Sequence, residues 1–193
     1  MDQDAEDAAA GGRTKLPPVG TWTFDKSHTQ VAFVARHMLS KVRGRFTEFD
    51  GKVVIAERPE DSWVEVEIES ASITTDTEMR DNHLRSPDFL DVENFPKLTF
   101  RSKELRPAGD NTFELVGDLT IRDMTREVVL NTEFLGWGQG PMPDAPPMAA
   151  FSARTQIDRE DWDITWNMPV DLGGWLVGKE AQIEIDTEIV LSE

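Results

Sequence analysis

The chain contains no cysteine and no tyrosine. Without cysteine there can be no disulfide, no thiolate nucleophile and no thiolate metal site. No apolar run approaches the ~20 residues that a membrane-spanning helix needs. Basic residues are scarce: 20 Lys and Arg stand against 37 Asp and Glu, a net charge of −17 over 193 residues. That charge repels a phosphate backbone. The longest basic cluster, Arg36 to Arg45 with Lys41 and Arg43, is broken by apolar and small residues. No nucleic-acid partner is expected, and the same acidity argues against docking on anionic lipid head groups. It says nothing about a lipid held inside a cavity. A secretory leader needs basic residues followed by an apolar stretch, whereas this chain opens Met1-Asp2-Gln3-Asp4-Ala5-Glu6-Asp7. A cytoplasmic location without membrane insertion is the expectation.

Six Trp, ten Phe and a hydrophobic content of 38% are enough for a core. Residues 1–18 have little to bury and read as a disordered acidic and Gly/Pro-rich tail, with one barrel-sized domain over 19–193. Beyond the tail the dominant hydrophobic period is two. Val64-Glu65-Val66-Glu67-Ile68-Glu69 alternates without fault, and Ile183-Glu184-Ile185-Asp186 repeats the pattern. Each such segment has one dry and one charged face, as a half-solvated antiparallel strand does. Strands are expected near 21–26, 29–38, 44–57, 62–71, 96–104, 111–121, 126–137 and 149–159, with a last one near 180–192. Successive strands without intervening helices predict an all-β, antiparallel up-and-down barrel of about eight strands. Closure also removes exposed edges. One short helix interrupts the strands: Thr75 and Glu78 have capping-box spacing, and Ser86-Pro87 ends it. The apolar stretch 88–96 is expected to fold over something dry, and 138–147, with four prolines, to be an extended surface loop.

Catalytic signals are weak. His28, His37 and His83 are the three imidazoles available for a metal-assisted hydrolase or isomerase, but nothing in their spacing demands convergence. His28 and His37 are nine apart and would point to opposite faces of one strand. Asp158, Asp161 and Asp163 lack the EF-hand pattern. Asp25 and His28 resemble a base and its orienter beside Ser27, yet no Gly-x-Ser-x-Gly elbow accompanies them. Gly136-Trp137-Gly138-Gln139-Gly140 has the glycines of a dinucleotide motif without the following helix. Neither a metal nor a cofactor is expected, nor is catalysis. The apolar residues Phe33, Phe46, Phe49, Phe89, Leu90, Phe95, Phe100, Phe113, Phe151 and Trp162 are spread across many strands. An eight-stranded barrel either fills itself with such side chains or encloses one small ligand, and periodicity leaves that choice open.

Several runs make the chain recognisable. Trp22-Thr23-Phe24-Asp25-Lys26-Ser27-His28-Thr29-Gln30-Val31-Ala32-Phe33 with His37 resembles the opening of the YceI-like family. Arg43-Gly44-Arg45-Phe46, the run from Arg80 to Val92, Phe95-Pro96 before Phe100, Gly117 to Arg122, and Ile157-Asp158-Arg159 follow in that family's order. The resemblance spans about residues 20–192. It implies a lipocalin-like barrel whose apolar interior holds a long isoprenoid or similar long-chain amphiphile, a non-catalytic role, and pairing into a homodimer. Family members are often periplasmic, but no leader is recognised here. With a cavity implied, the expected ligand contacts are Phe33, His37, Phe46, Leu84, Arg85, Phe89, Leu90, Phe100, Phe113, Phe151 and Trp162. His37 or Arg85 would meet a head group, and a mobile segment around 84–95 would act as a gate. The alternatives are the three-histidine enzyme and a packed acidic module that recruits a basic partner protein. Asp123 and Asp163 stand where the family commonly has glycine, at positions where the backbone turns tightly.

Overall fold

The computed structural model describes residues 16–140, 142–171 and 173–192. Most of the tail expected over 1–18 lies outside these residues. Leu16 to Pro18 lie inside them and pack on the barrel: Pro17 is buried, and the Trp22 Nε1 donates to the Pro18 carbonyl at 3.2 Å.

Eleven strands form one antiparallel sheet: β1 Gly20–Phe24, β2 Gln30–His37, β3 Ser40–Phe46, β4 Phe49–Ile55, β5 Trp63–Glu69, β6 Ile73–Thr74, β7 Lys97–Pro107, β8 Thr112–Ile121, β9 Met124–Gln139, β10 Pro147–Asp158 and β11 Val177–Leu191. Three pairs of these are single barrel strands broken by corners. Residues of β1 and β2 both pair with β11, β1 pairs β4 while β2 pairs β3, and β4 pairs β5 while β3 pairs β6. Each strand so joined lies beside its neighbours in sequence, and β1 closes on β11. The result is a closed eight-stranded up-and-down barrel, as the alternation predicts.

β5 shows why. Its Val64, Val66 and Ile68 point inward, while Glu65, Glu67 and Glu69 face solvent opposite Arg101, Thr99 and Lys97 of β7. The ion pairs on this face are exposed, so water and salt screen them and they contribute little. Burial of the inner face does the stabilising, at roughly 25 cal/mol per Å² of apolar surface.

The Asp25 carboxylate organises the corner between β1 and β2. Asp25 accepts from the Ser27 N–H at 2.9 Å and the Ser27 hydroxyl at 2.6 Å, and its other oxygen lies 2.8 Å from His28 Nδ1. Residues 25–29 thus face only Thr187 and Glu188 on β11, since Phe24 pairs with Ile189 and Gln30 with Asp186. The two aspartates at family-glycine positions cause no strain. In the two-residue hairpin between β8 and β9 the left-handed residue is Arg122 (φ 58°), not Asp123. Asp163 does take the left-handed conformation, at φ 56°, ψ 27°, which the short polar side chain of aspartate tolerates.

The one α-helix among the described residues, α1 Glu78–Arg85, begins two residues later than a capping box at Thr75 requires. Its N-cap is Thr77, whose side chain makes no capping bond to the helix N–H groups, and Thr75 is engaged elsewhere. The buried Asp81 carboxylate accepts from the Thr75 N–H at 2.7 Å, the Thr74 hydroxyl at 2.9 Å and the Thr75 hydroxyl, tying α1 to β6. Burial pushes the Asp81 carboxyl up, but these hydrogen bonds, with Arg85 nearby, outweigh it and hold the group below its ordinary value.

Candidate functional site

The barrel interior is not solid. Three cavities lie in file along it. The first, about 160 Å³, occupies the end opposite α1, where Leu16, Pro17 and Trp63 meet Phe113, Phe151 and Ile189. The second, about 110 Å³, is central and includes Phe33, Phe46, Phe49, Leu98 and Ile121. The two share a collar of Phe24, Val66, Phe100, Leu130 and Ile185. A third cavity, also about 110 Å³, lies beneath α1 and adjoins the second at Phe33.

Strand parity explains the first two: inner residues of every strand converge on one axis. Two glycines then make room for the rings that divide the tube. A Cβ on Gly44 would stand 2.3 Å from Phe33 Cζ, and one on Gly117 would stand 2.5 Å from Phe100 Cζ. These glycines let the rings lie back against the wall. No charged residue lines either inner cavity. The polar liners are hydroxyls, among them Thr29 and Thr187, whose Oγ1 atoms are 2.8 Å apart and satisfy each other.

The third cavity differs in kind. Arg36 and His37 come from the end of β2, Arg80, His83 and Leu84 from α1, and Phe89, Trp166 and Leu176 from the crossing segments. Arg80 is pinned: its Nε donates to Thr75 Oγ1 at 2.7 Å, and its Nη2 donates to the Thr75 carbonyl and Thr77 Oγ1 at 3.0 and 3.1 Å. His83 is pinned as well, with Nε2 2.9 Å from Asp88 Oδ2 and its ring edge-on to Phe89 and Trp166. Exposed Met38 and Leu39 at the tip of the β2–β3 hairpin, and Met168 and Trp175 opposite, form an apolar threshold beside it.

Most of the ligand contacts expected from sequence fall on these cavities. Phe100, Phe113 and Phe151 line the first, Phe33, Phe46 and Phe100 the second, and Phe33, His37, Leu84 and Phe89 the third. Three lie elsewhere. Leu90 is buried in the core, and Trp162, also buried, donates its Nε1 to the Leu119 carbonyl. Arg85 is spent on the Ala71 and Ile73 carbonyls and on Asn82. Among the residues sequence reasoning missed are Arg36, Arg80 and Trp166. The segment 84–95, expected to act as a gate, is bonded within itself: the N–H groups of Phe89, Leu90, Asp91 and Val92 return to residues 84–86, and those of Asn94 and Phe95 to Asp91.

The three histidines do not assemble. His37 and His83 share the third cavity, while His28 sits at the far end of β2, roughly 30 Å away at ~3.3 Å per residue. His28 instead groups with Asp25 and Glu188, their ligating atoms within 4.8 Å of one another. This is the one such group among the described residues, and it shares no residue with the cavities. In it Asp25 is held down to about 2 by the His28 and Ser27 hydrogen bonds, and His28 is raised by Asp25 and Glu188. Of the acidic cluster, Asp158 accepts the Glu160 N–H at 3.0 Å and caps the short 3₁₀ turn Arg159–Trp162. No helix among the described residues is long and apolar enough to cross a membrane.

The same chain features recur in known proteins. A family model described as the YceI-like domain matches residues 22–189. A UPF0312 protein of Staphylococcus aureus (strain MSSA476) is 34% identical over 177 residues, covering 89% of this chain and 98% of the relative. Among solved structures, Burkholderia cenocepacia BcnA superposes with a TM-score of 0.72 at 22% identity, over 86% of this chain and 98% of its own. A polyisoprenoid binding domain from Saccharophagus degradans superposes with a TM-score of 0.66 at 10% identity, over 91% of this chain and 100% of its own. With its barrel, its order of motifs and its match over most of its length, the chain belongs to the YceI-like family.

Proposed function

We propose that this protein is a non-catalytic carrier that sequesters a long-chain isoprenoid or similar amphiphile, its chain in the tube and its polar end under α1. The carrying observation is the lining of the two inner cavities: no charged side chain reaches them in a protein whose residues are 30% charged. Such a space stays dry and takes apolar guests. The structural neighbour named for polyisoprenoid binding supports the same reading.

Affinity follows from burial. Each methylene taken from water contributes about 0.8 kcal/mol, so one isoprene unit supplies ~3 kcal/mol before ordering costs. Size sets the limit. A cavity of about 150 Å³ accepts benzene, so the first cavity takes roughly one isoprene unit as it stands, and the second somewhat less. A longer chain requires Phe33 and Phe100, which stand between the cavities, to swing.

Purified protein should therefore carry a co-extracted lipid and take up a fluorescent prenyl analogue. Mass spectrometry of an organic extract showing no stoichiometric amphiphile, together with no uptake of the analogue, overturns the proposal.

A further inference from the structure

Taking the carrier reading as its basis, we infer that the cavity beneath α1 is the seat of an anionic head group, so that the guest is a single-chain amphiphile ending in phosphate or carboxylate. The chain has nearly twice as many acids as bases, yet the charged residues lining the three cavities are two arginines, Arg36 and Arg80, and no acid lines any of them. Both arginines face the cavity where the apolar tube ends, beside the imidazoles of His37 and His83.

Arg80 carries the point furthest. No carboxylate pairs with it among the described residues; its Nε and Nη2 bind a hydroxyl and a carbonyl of Thr75 and the hydroxyl of Thr77. Those bonds fix the guanidinium and leave Nη1 without a protein acceptor. A positioned cation of this kind forms strong, short bonds to phosphate or carboxylate oxygens, because the ordering cost is met before the ligand arrives. Thr75 passes the constraint on, since its hydroxyl donates to buried Asp81 while accepting from Arg80. Arg36 is exposed at the rim and likewise has no carboxylate partner among the described residues. The acids nearby are committed: Asp88 to His83 and Asp81 to Thr74 and Thr75. A neutral head group would leave the Arg80 charge half-desolvated and unanswered.

The test compares farnesyl phosphate with farnesol, and palmitate with hexadecanol, by isothermal titration of the full-length protein. Each anion should bind about tenfold more tightly than its alcohol, and raising salt should erode only the anion's advantage. Arg80→Gln should bring phosphate and alcohol to within about twofold of each other, chiefly by weakening the phosphate, and Arg80→Lys should restore part of the gap. Arg36→Gln, which touches no helix contact, should narrow the gap less and guards against misfolding of the Arg80 variants. If palmitate shows the advantage and farnesyl phosphate does not, the head group is a carboxylate and the proposal stands in that form. Equal affinity of anion and alcohol for the unaltered protein overturns the head-group inference and leaves the carrier reading intact. Binding of none of the four overturns both.

Discussion

The tube, with cavities of about 160 and 110 Å³, and the chamber under α1, of about 110 Å³, are built on opposite principles. The tube is walled by strand residues of one parity, and its rings have room because Gly44 and Gly117 give it to them. Its attraction for a guest is non-directional and scales with buried area. The chamber is walled by α1, two irregular segments and the ends of β2, β3 and β11, and its Arg80 and His83 side chains are already bonded to neighbours. Capacity and recognition are therefore separable in this barrel. Changes in the tube should alter how much chain is held, and changes in the chamber how well its end is chosen.

The largest effect should come from deleting the ring at the collar. Phe100→Ala should cost about 3 kcal/mol of stability, the low end for such a truncation because the ring already borders open space. Denaturant titration would show it, and the variant should accept a longer prenyl chain. Asp81→Ala breaks the other region. It leaves the Thr75 N–H buried without an acceptor and should cost about 2 kcal/mol, with loss of the Arg80 geometry but little change in uptake of a purely apolar probe.

Gly44→Ala sharpens the contrast, since it adds one methyl and no charge. The methyl must displace the Phe33 ring into the passage between the second and third cavities, and affinity for a prenyl probe should fall about tenfold. Adding Phe33→Leu should recover most of the loss. If Gly44→Ala binds normally, Phe33 does not govern the passage.

The smallest effect belongs to the β1–β2 corner, outside both regions. Asp25 is lowered from 3.8 to about 2, so its contribution is present above about pH 4 and lost as pH falls toward 2. His28 is raised above 6.5, so its contribution is present below pH 6.5 and lost as pH rises through its elevated value. The pair therefore supports the corner best between about pH 4 and 6.5. His28→Asn should abolish the alkaline decline in melting temperature while leaving uptake of a prenyl probe unchanged.

Much of this was legible in the chain. Strict alternation in β5 and β11 can satisfy only a sheet with one wet and one dry face, and the sequence spacing of the strands orders them around a barrel. The chamber was harder to read. Thr75 and Glu78 have capping-box spacing, but Asp81, once buried, needs three donors and takes Thr75 from that role. Arg80 and Arg85 sit five residues apart, so at 3.6 residues per turn they project from different sides of α1. No pattern in the sequence says which side looks into the cavity. Trp166 and Leu176 lie in coil between the 3₁₀ turn and β11, where side-chain direction follows no period at all.

Local chemistry by itself determined the strands, the acidic exterior, the short helix and the family, because these depend on hydrophobic period and on residues close together along the chain. Only the tertiary structure decided that the barrel keeps room inside, that Phe33 and Phe100 divide that room, and that Arg80 rather than Arg85 faces its end. Those outcomes rest on which surfaces meet across long separations, and two sequences of the same alternation can pack solid or stay open depending on where a glycine happens to face a ring.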